Sequence, residues 1–574
     1  MCGVQPAEPR QTVQVRFADG RTFEGPRGAP LEAFCRAAYP RPTVPPMAGI
    51  VDDQLMELAT PLRRDSSVRV VFLSDSDGIR IYTRSLSFLL AAAVHRLFPG
   101  ARLVIDHTVP FGGYYCRLED RPPLSGEELA GLEAHMRTLV EQDLPIVREQ
   151  VGAEEGRAWF RRRGAVHKAE LLEQGIPQGH FHLYHLGDFC DYFFGYMVPS
   201  TGYLSYFAVV PYHDGFILRF PRRERPTQLA PAEEYSALWQ VFEEYRKWLE
   251  LLGIYDAWAV NQAVRNGRIR EVILISEALH ERRVVEIARR IAELPPQRRR
   301  VVLVAGPSSA GKTTFTKRLA IQLLAQGLRP YPVSLDDYFL PRAEMARRGL
   351  SDFDDLSALD LPLLARQVEK LLAGEEVQLP SFDFRSGTRQ EGLSLRLDRD
   401  GVLLLEGIHA LNPQLLPPGL REAASRIYVS ALTQLNLDDP VRISTTDTRL
   451  LRRLVRDAAF RGYSAEDTLR LWRNVRRGEK RFVFPYQGLA DVMFNSALVY
   501  EWSVLRPRVE PLLLQVRDPR LRIEAERLVA TLRWFAPYEE DEVPATSILR
   551  EFIGGGILRD YFPDPTERTT GRRR

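Results

Sequence analysis

The chain is predicted to be a multidomain α/β protein whose second half is built on a doubly wound parallel sheet. Three observations predict this. Val301 to Ala305 is an unbroken apolar run, as in a strand buried on both faces. It enters a glycine-rich turn, GPSSAGKT at 306–313, which opens a helical pattern. Strand-like and helix-like stretches then alternate to about residue 500, as expected of a parallel sheet covered by helices. The chain's 574 residues and 65.6 kDa allow about four domains.

In chain order, Thr12 to Phe17 alternates, Ala18-Asp19-Gly20 turns, and Arg21 to Gly25 returns as a hairpin. Leu31 to Ala38 suits a short helix and Ser67 to Leu73 a closing strand, so residues 12–75 are expected to be a β-grasp-like module. Residues 76–222 read as α+β. They contain an amphipathic helix from Ser85 to Leu97 stopped by Pro99-Gly100, another from Glu127 to Gln142 capped by Ser125, and strands near 180–185, 203–210 and 215–220. Residues 223–297 are expected to be a helical connector, closed by the break PPQRRR. Residues 298–500 form the α/β domain and 501–574 a helical C-terminal extension, with DPTERTTGRRR frayed at the end.

Hydrophobic residues make up 45% and charged residues 27%, ordinary for a soluble globular protein. The net charge of +3 is too small to imply nucleic-acid or membrane binding by itself. The longest strictly apolar run, Phe88 to Val94, has seven residues, whereas a membrane-spanning helix needs about 20. The start MCGVQPAEPR lacks the apolar core of a signal peptide. Cys2, Cys35, Cys116 and Cys190 are too scattered for a disulfide framework. The expectation is a cytoplasmic protein. Only six of the 78 basic side chains are lysines: 168, 247, 312, 317, 370 and 480. A lysine kept in so arginine-rich a chain is a candidate for a place that needs the compact ammonium.

The segment Gly306-Pro307-Ser308-Ser309-Ala310-Gly311-Lys312-Thr313, with Thr314 after it, fits G-x-x-x-x-G-K-[ST] between a strand and a helix. Its glycines let backbone N–H groups wrap phosphates, and the helix N-terminus adds positive potential. Lys312 is then expected to reach the β and γ phosphates and Thr313 to ligate Mg²⁺. The helix runs to Gln326, with Phe315, Leu319 and Leu323 on one buried face.

Acidic residues follow two further strand-like runs: Asp336-Asp337 after TyrProValSerLeu, and Glu406 after GVLLL. Carboxylates at the ends of parallel strands sit in the ligand crevice. One can hold Mg²⁺ and another can accept a hydroxyl proton; the bland alternative is that the aspartates cap the next helix. In 447–462, Arg449, Arg452 or Arg453, and Arg456 fall on one helical face. Residues 442–481 carry 11 arginines in 40 positions. A solvated charged face and a lid clamping a transferred phosphoryl group are both open readings.

The ordered motifs GPSSAGKTT, SLDDYF, DFDDLSALD, PSFDFRSGTR, LLLEGIHAL, DTRLLRRLVRDAAFRG and LADVMF resemble the uridine kinase and phosphoribulokinase family of P-loop kinases. The resemblance implies ATP and Mg²⁺ as cofactors. It makes Asp336 the catalytic base, with Glu406, Thr313 and Asp336 at the metal and Lys312, Arg453, Arg456 and Arg461 as catalytic cations. It places Asp354 on the ribose hydroxyls and adds Phe382, Asp383 and Arg389 to the acceptor site. Where the family reads a pyrimidine with tyrosine and histidine, this chain has Phe382 and Gly387, and Tyr463 stands where a further arginine is found.

Residues 12–75 resemble a TGS domain. RSLSFLLAAAVHRLFPGARLVIDHTVPFGGYY and LYHLGDFCDYFFGYMVPSTG resemble the second additional domain of threonyl-tRNA synthetases. The editing ligands of that domain map to Arg84, Phe88, Phe193 and Met197, none a metal ligand of the expected kind, so editing is not expected. His180, His182 and His185 in HFHLYH lack acid or cysteine partners at metal-binding spacing. With SILREFIGG near the end, the whole arrangement resembles long-form bacterial uridine kinase-like proteins. The expected function is ATP-dependent phosphorylation of a nucleoside 5′-hydroxyl or similar small-molecule acceptor. The alternatives are a phosphoribulokinase-like sugar kinase, or an RNA- or ribosome-associated P-loop switch that contacts RNA through the first two modules. No membrane partner is expected, and the oligomeric state is not legible.

Overall fold

Val301–Ala305 is buried along its whole length and sits at the centre of a five-stranded parallel sheet in the computed structural model. The strand order is Arg329–Ser334, Gly401–Glu406, Val301–Ala305, Ser425–Ser430, Val492–Asn495. The structure describes residues 10–176, 179–233, 236–350, 353–383, 386–559 and 561. The stretch DPTERTTGRRR and Cys2 lie outside the described residues. The helix Lys312–Ala325 covers one face of the sheet, with Phe315, Leu319 and Leu323 fully buried. Each such side chain contributes about 1.5–3 kcal/mol through burial.

The expected connector is part of this core. Its helices are Ser236–Leu252, Ala257–Arg265 and Ile269–Ala292. Val284, Ile287 and Ala288 share a core with Leu319 and Leu323, while Leu238, Val241 and Phe242 join Leu303 and Leu405 on the other face.

In the first 72 residues a mixed sheet runs Thr22–Pro26, Thr12–Phe17, Ser66–Phe72, Pro46–Val51, Gln54–Glu57. Thr12–Phe17 and Ser66–Phe72 are parallel, and helix Leu31–Ala38 buries Leu31, Phe34 and Cys35 on the sheet. The next helix, Ser76–Leu97, begins well before the expected Ser85. Ser76-Asp77-Gly78 reads as a turn, but glycine is needed there because the helix starts against the Phe72 carbonyl, which a Cβ would approach to 1.9 Å. Helix Gly126–Glu141 has the predicted Ser125 cap, completed by Glu128.

Two antiparallel sheets follow: Ala208–Tyr212, Gly215–Arg219, Gly113–Glu119, Arg102–Val109; and Phe189–Tyr192, His180–Leu186, Val147–Gly152. The strand expected over 203–210 starts only at Ala208, because Thr201–Tyr203 is a 3₁₀ turn. This region docks on the second half: Asn436 donates to the Ile105 carbonyl at 2.9 Å, and Lys168 bridges Asp191 (2.7 Å) and Asp438 (2.8 Å). Lys168 thus fills one of the narrow cationic places that the lysine count suggested.

The C-terminal extension departs from a continuous helical tail. Helices Glu501–Leu513 and Pro519–Leu532 are followed by largely irregular chain containing Pro537 and Pro544, then a single turn, Arg550–Ile553. Among the described residues no helix is long and apolar enough to cross a membrane.

Candidate active site

The phosphate loop leaves the central strand at Gly306, where a Cβ would come within 2.0 Å of the Val429 carbonyl. Gly311 adopts φ 84° as the helix begins. Ser309 is held at φ 58°, strain of the kind stored at functional sites, and its buried hydroxyl has no partner among the described residues. Lys312 is buried, with Nζ donating to the Pro307 carbonyl at 3.3 Å and lying 4.0 Å from Glu406. Thr313 donates its hydroxyl to Glu406 at 3.1 Å. Burial pushes the Glu406 carboxyl up to about 7, with Asp336 and Glu551 adding to the rise and Lys312 opposing it. A hydroxyl and a carboxylate side by side are hard oxygen donors suited to Mg²⁺.

Asp336 lies at the end of Arg329–Ser334, in a 3₁₀ turn, Leu335–Tyr338, capped by Ser334. Burial raises its carboxyl, while Lys312, Arg461 and Arg456 pull it down. The charges of the loop lysine and of two of the arginines thus act on this acid. Asp337 faces elsewhere, accepting the Phe382 N–H at 3.1 Å. The two neighbouring acids thus divide: one faces the cations, and the other fixes the next hairpin.

The arginine helix is Thr445–Arg456, continued by a π turn, Asp457–Arg461. A solvated face does not describe it, since Arg449 and Arg452 are 1% and 0% exposed. Arg452 turns into the core, onto Glu501 (2.6 Å) and the Ser496 carbonyl. Arg453 donates to the Ser308 hydroxyl at 2.8 Å. Buried Asp457 gathers Arg453, Arg456 and Arg461 at 3.1, 2.8 and 3.7 Å. Burial and the neighbouring Arg456 lower Arg461 to about 10.

On the acceptor side, Phe382 packs near Phe339 (5.8 Å) and Phe353 (5.9 Å). Asp354 lies against Gly478, where a Cβ would approach its own Cβ to 2.6 Å. Asp383 holds the turn by accepting the Gly387 and Ser386 N–H groups. Arg389 is paired with Asp360 at 3.0 Å rather than with the loop. At Gly387 a Cβ would meet Arg342 Cδ at 2.4 Å, so an arginine covers the place where the family has an imidazole. Phe384 and Arg385 of the same motif lie outside the described residues.

Several residues of the site were not singled out from sequence. Glu479 accepts the Ser308 N–H at 3.0 Å and is bound by Arg449. Glu551 accepts from the Thr314 amide and hydroxyl. Buried His409, beside Asp355, is held down to about 4, chiefly by burial. Asp457 alone had a signal, standing four residues after Arg453 inside a motif. Glu479 is far away in sequence in an arginine-rich stretch, and Glu551, although inside SILREFIGG, carries no local sign that it reaches the phosphate loop.

At the positions mapped to editing ligands, Arg84 donates to the Tyr196 carbonyl at 2.6 Å, and Phe88, Phe193 and Met197 are buried. His182 pairs with Arg148 and His185 with Glu149. Among the described residues no group of three or more His, Cys, Asp or Glu could hold a metal ion.

Residues 301–501 match the family model for the phosphoribulokinase / uridine kinase family. This part of the chain, about a third of it, is therefore similar to the P-loop kinases of that family. The N-terminal part is similar to threonine–tRNA ligases. That of Methylococcus capsulatus is 36% identical over 197 residues, 34% of this chain and 31% of the ligase. That of Symbiobacterium thermophilum is 33% identical over 200 residues, covering 34% and 30%. The chain thus spans about a third of the length of these relatives. Among solved structures, a possible uridine kinase from Bacillus stearothermophilus has a TM-score of 0.26 and 17% identity, covering 37% of this chain and 98% of that one. D-glycerate 3-kinase from Cryptococcus neoformans has a TM-score of 0.20 and 17% identity, covering 48% and 89%.

Proposed function

We propose that the chain is an ATP-dependent kinase that transfers the γ-phosphoryl group to the 5′-hydroxyl of a nucleoside or a similar sugar alcohol in the cytoplasm. The observation that carries this reading is Asp336, placed beside the phosphate loop with Lys312, Arg456 and Arg461 acting on its carboxylate. The loop suits a triphosphate: the Glu551 carboxylate already sits on its Thr314 N–H group, where an anionic oxygen is favoured. Lys312 and the loop amides would hold the phosphates, and Thr313 with Glu406 would hold Mg²⁺, which when bound neutralises phosphate charge. Asp336 accepts the proton of the acceptor hydroxyl as its oxygen attacks the γ-phosphorus and ADP leaves. Arg453, Arg456 and Arg461, gathered by Asp457, supply positive charge where negative charge develops.

The acceptor end favours recognition of the sugar over the base. Phe382 offers an apolar face without a hydroxyl, and Arg342 covers the Gly387 position. A phosphoribulokinase-like sugar acceptor is therefore the second reading. RNA contact through the front modules is a further proposal, supported by their similarity to threonine–tRNA ligases. The test is ATP consumption against nucleosides, ribulose 5-phosphate and tRNA, with Lys312→Ala as control. Turnover with a nucleoside supports the first reading. Turnover with the sugar phosphate alone supports the second.

A further inference from the structure

The C-terminal segment closes over the phosphate loop. Beyond Pro544 it runs along the N-terminus of helix Lys312–Ala325, so near that a Cβ on Gly311 would lie 2.4 Å from Ile548 Cγ2. Three residues later, Glu551 Oε2 accepts a hydrogen bond from the Thr314 amide at 3.1 Å and from its hydroxyl at 2.9 Å. The far end is tied as well: Lys317 Nζ donates to the Leu558 carbonyl at 2.8 Å and the Arg559 carbonyl at 2.6 Å. Ser547, Ile548, Leu549, Phe552 and Ile553 anchor the segment, each no more than 3% exposed. Glu551 itself is only partly buried.

The Thr314 amide belongs to the first turn of the helix, so it has no intrahelical acceptor. In a loop of this type such an amide points at bound phosphate. A carboxylate at a helix N-terminus is favoured for the same reasons, by the dipole and by charge-assisted hydrogen bonds. The amide has one hydrogen, and two anions in contact repel. A phosphate at this place and Glu551 therefore exclude each other.

We propose that residues 547–559 are an autoinhibitory strap whose Glu551 carboxylate occupies a phosphate position of the nucleotide site and must be displaced when nucleotide binds. The proposal rests on the reading of the loop as a nucleotide site. Glu551 is only partly buried between the anchors Leu549 and Phe552, so its side chain can swing off the loop while they stay in place, and Gly554 and Gly555, both at positive φ, let the chain beyond them bend. The competition is with phosphate, so it does not depend on the base or sugar of the nucleotide.

The test is calorimetric titration of the full chain with MgATP and with Mg-tripolyphosphate, for the wild type, Glu551→Gln and Lys317→Met. Glu551→Gln keeps the shape but removes the competing charge, and is expected to bind both probes about 3- to 30-fold tighter. Lys317→Met frees the other end and is expected to shift affinity in the same direction by a smaller factor. Unchanged or weaker tripolyphosphate binding by Glu551→Gln overturns the strap. Weaker ATP binding with tripolyphosphate unchanged also overturns it, and makes Glu551 a contact to the nucleoside part of ATP. If no protein binds either probe, the phosphate-loop reading falls together with the strap, a result distinct from equal binding by wild type and variant.

Discussion

Arg449 and Glu479 form a buried pair, 1% and 3% exposed at their side chains, that reaches the phosphate loop. One oxygen of Glu479 also takes the Ser308 N–H at 3.0 Å, and Arg449 donates to the Ser308 carbonyl at the same distance. The pair therefore sets the loop's shape from the two arginine-rich helices.

Glu479→Gln is expected to leave Arg449 and Arg476 without their counter-charge and to cost about 3–5 kcal/mol, read by chemical denaturation. Burial alone would push the Glu479 carboxyl up, but Arg449 and Arg476 outweigh it and hold it below its ordinary 4.5. Its contribution is therefore complete above about pH 4.5 and lost as pH falls through the depressed value. The variant should show a flatter acid limb in stability against pH. An unchanged acid limb would remove Glu479 from this role.

Lys312→Ala and Asp336→Asn should separate binding from chemistry. Lys312 faces phosphate before and during transfer, so its loss should weaken nucleotide affinity and rate together. Asp336→Asn should lower kcat by about 10²–10⁴-fold with nucleotide affinity much less changed. Steady-state kinetics with nucleotide titrations decide this. Full turnover in Asp336→Asn would strike it from the catalytic residues. Asp337→Asn instead should disturb the Phe382 hairpin that Asp337 holds.

Base selectivity should be weak. Apolar shape discriminates by only about 10–200-fold, whereas a hydrogen-bonding site reaches about 10⁴–10⁵. Catalytic efficiencies for uridine, cytidine, purine nucleosides and free sugars should fall within the lower range, and Asp354→Asn should reduce all nucleosides alike. A preference for uridine over adenosine above about 10⁴-fold would show that other residues read the base.

The synthetase-like region is expected not to hydrolyse mischarged tRNA. Arg84 donates to a backbone carbonyl, and Phe88 and Phe193 lie 5.3 Å apart in edge-to-face contact, so these positions offer no imidazole or thiolate to hold a metal or activate a water. Deacylation of mischarged threonine tRNA that is abolished by changing these residues would contradict this.

The parallel sheet was legible because two of its strands, Val301–Ala305 and Gly401–Glu406, are continuous apolar runs, and the phosphate loop because its spacing is tied to a strand and a helix. Asp336 and Glu406 were legible as strand-end acids. Periodicity could not tell that Arg452 turns to Glu501 while Arg453 reaches Ser308, because adjacent positions differ only in what packs around them. The early start of Ser76–Leu97 was hidden by a glycine whose reason is a carbonyl of another element. Glu479 and Glu551 meet the loop from 171 and 237 residues away, and pairings at that range leave no local pattern.

Phosphoryl transfer to a nucleoside hydroxyl at the Asp336 site can be followed directly. Its most direct measurement is ³¹P NMR of a reaction containing the protein, MgATP and uridine or adenosine. ADP and a nucleoside 5′-monophosphate are expected in equal amounts, both accumulating about 10²–10⁴-fold more slowly with Asp336→Asn. Bound ATP whose γ-phosphoryl group reaches no nucleoside, or transfer at the wild-type rate in Asp336→Asn, is the opposite result.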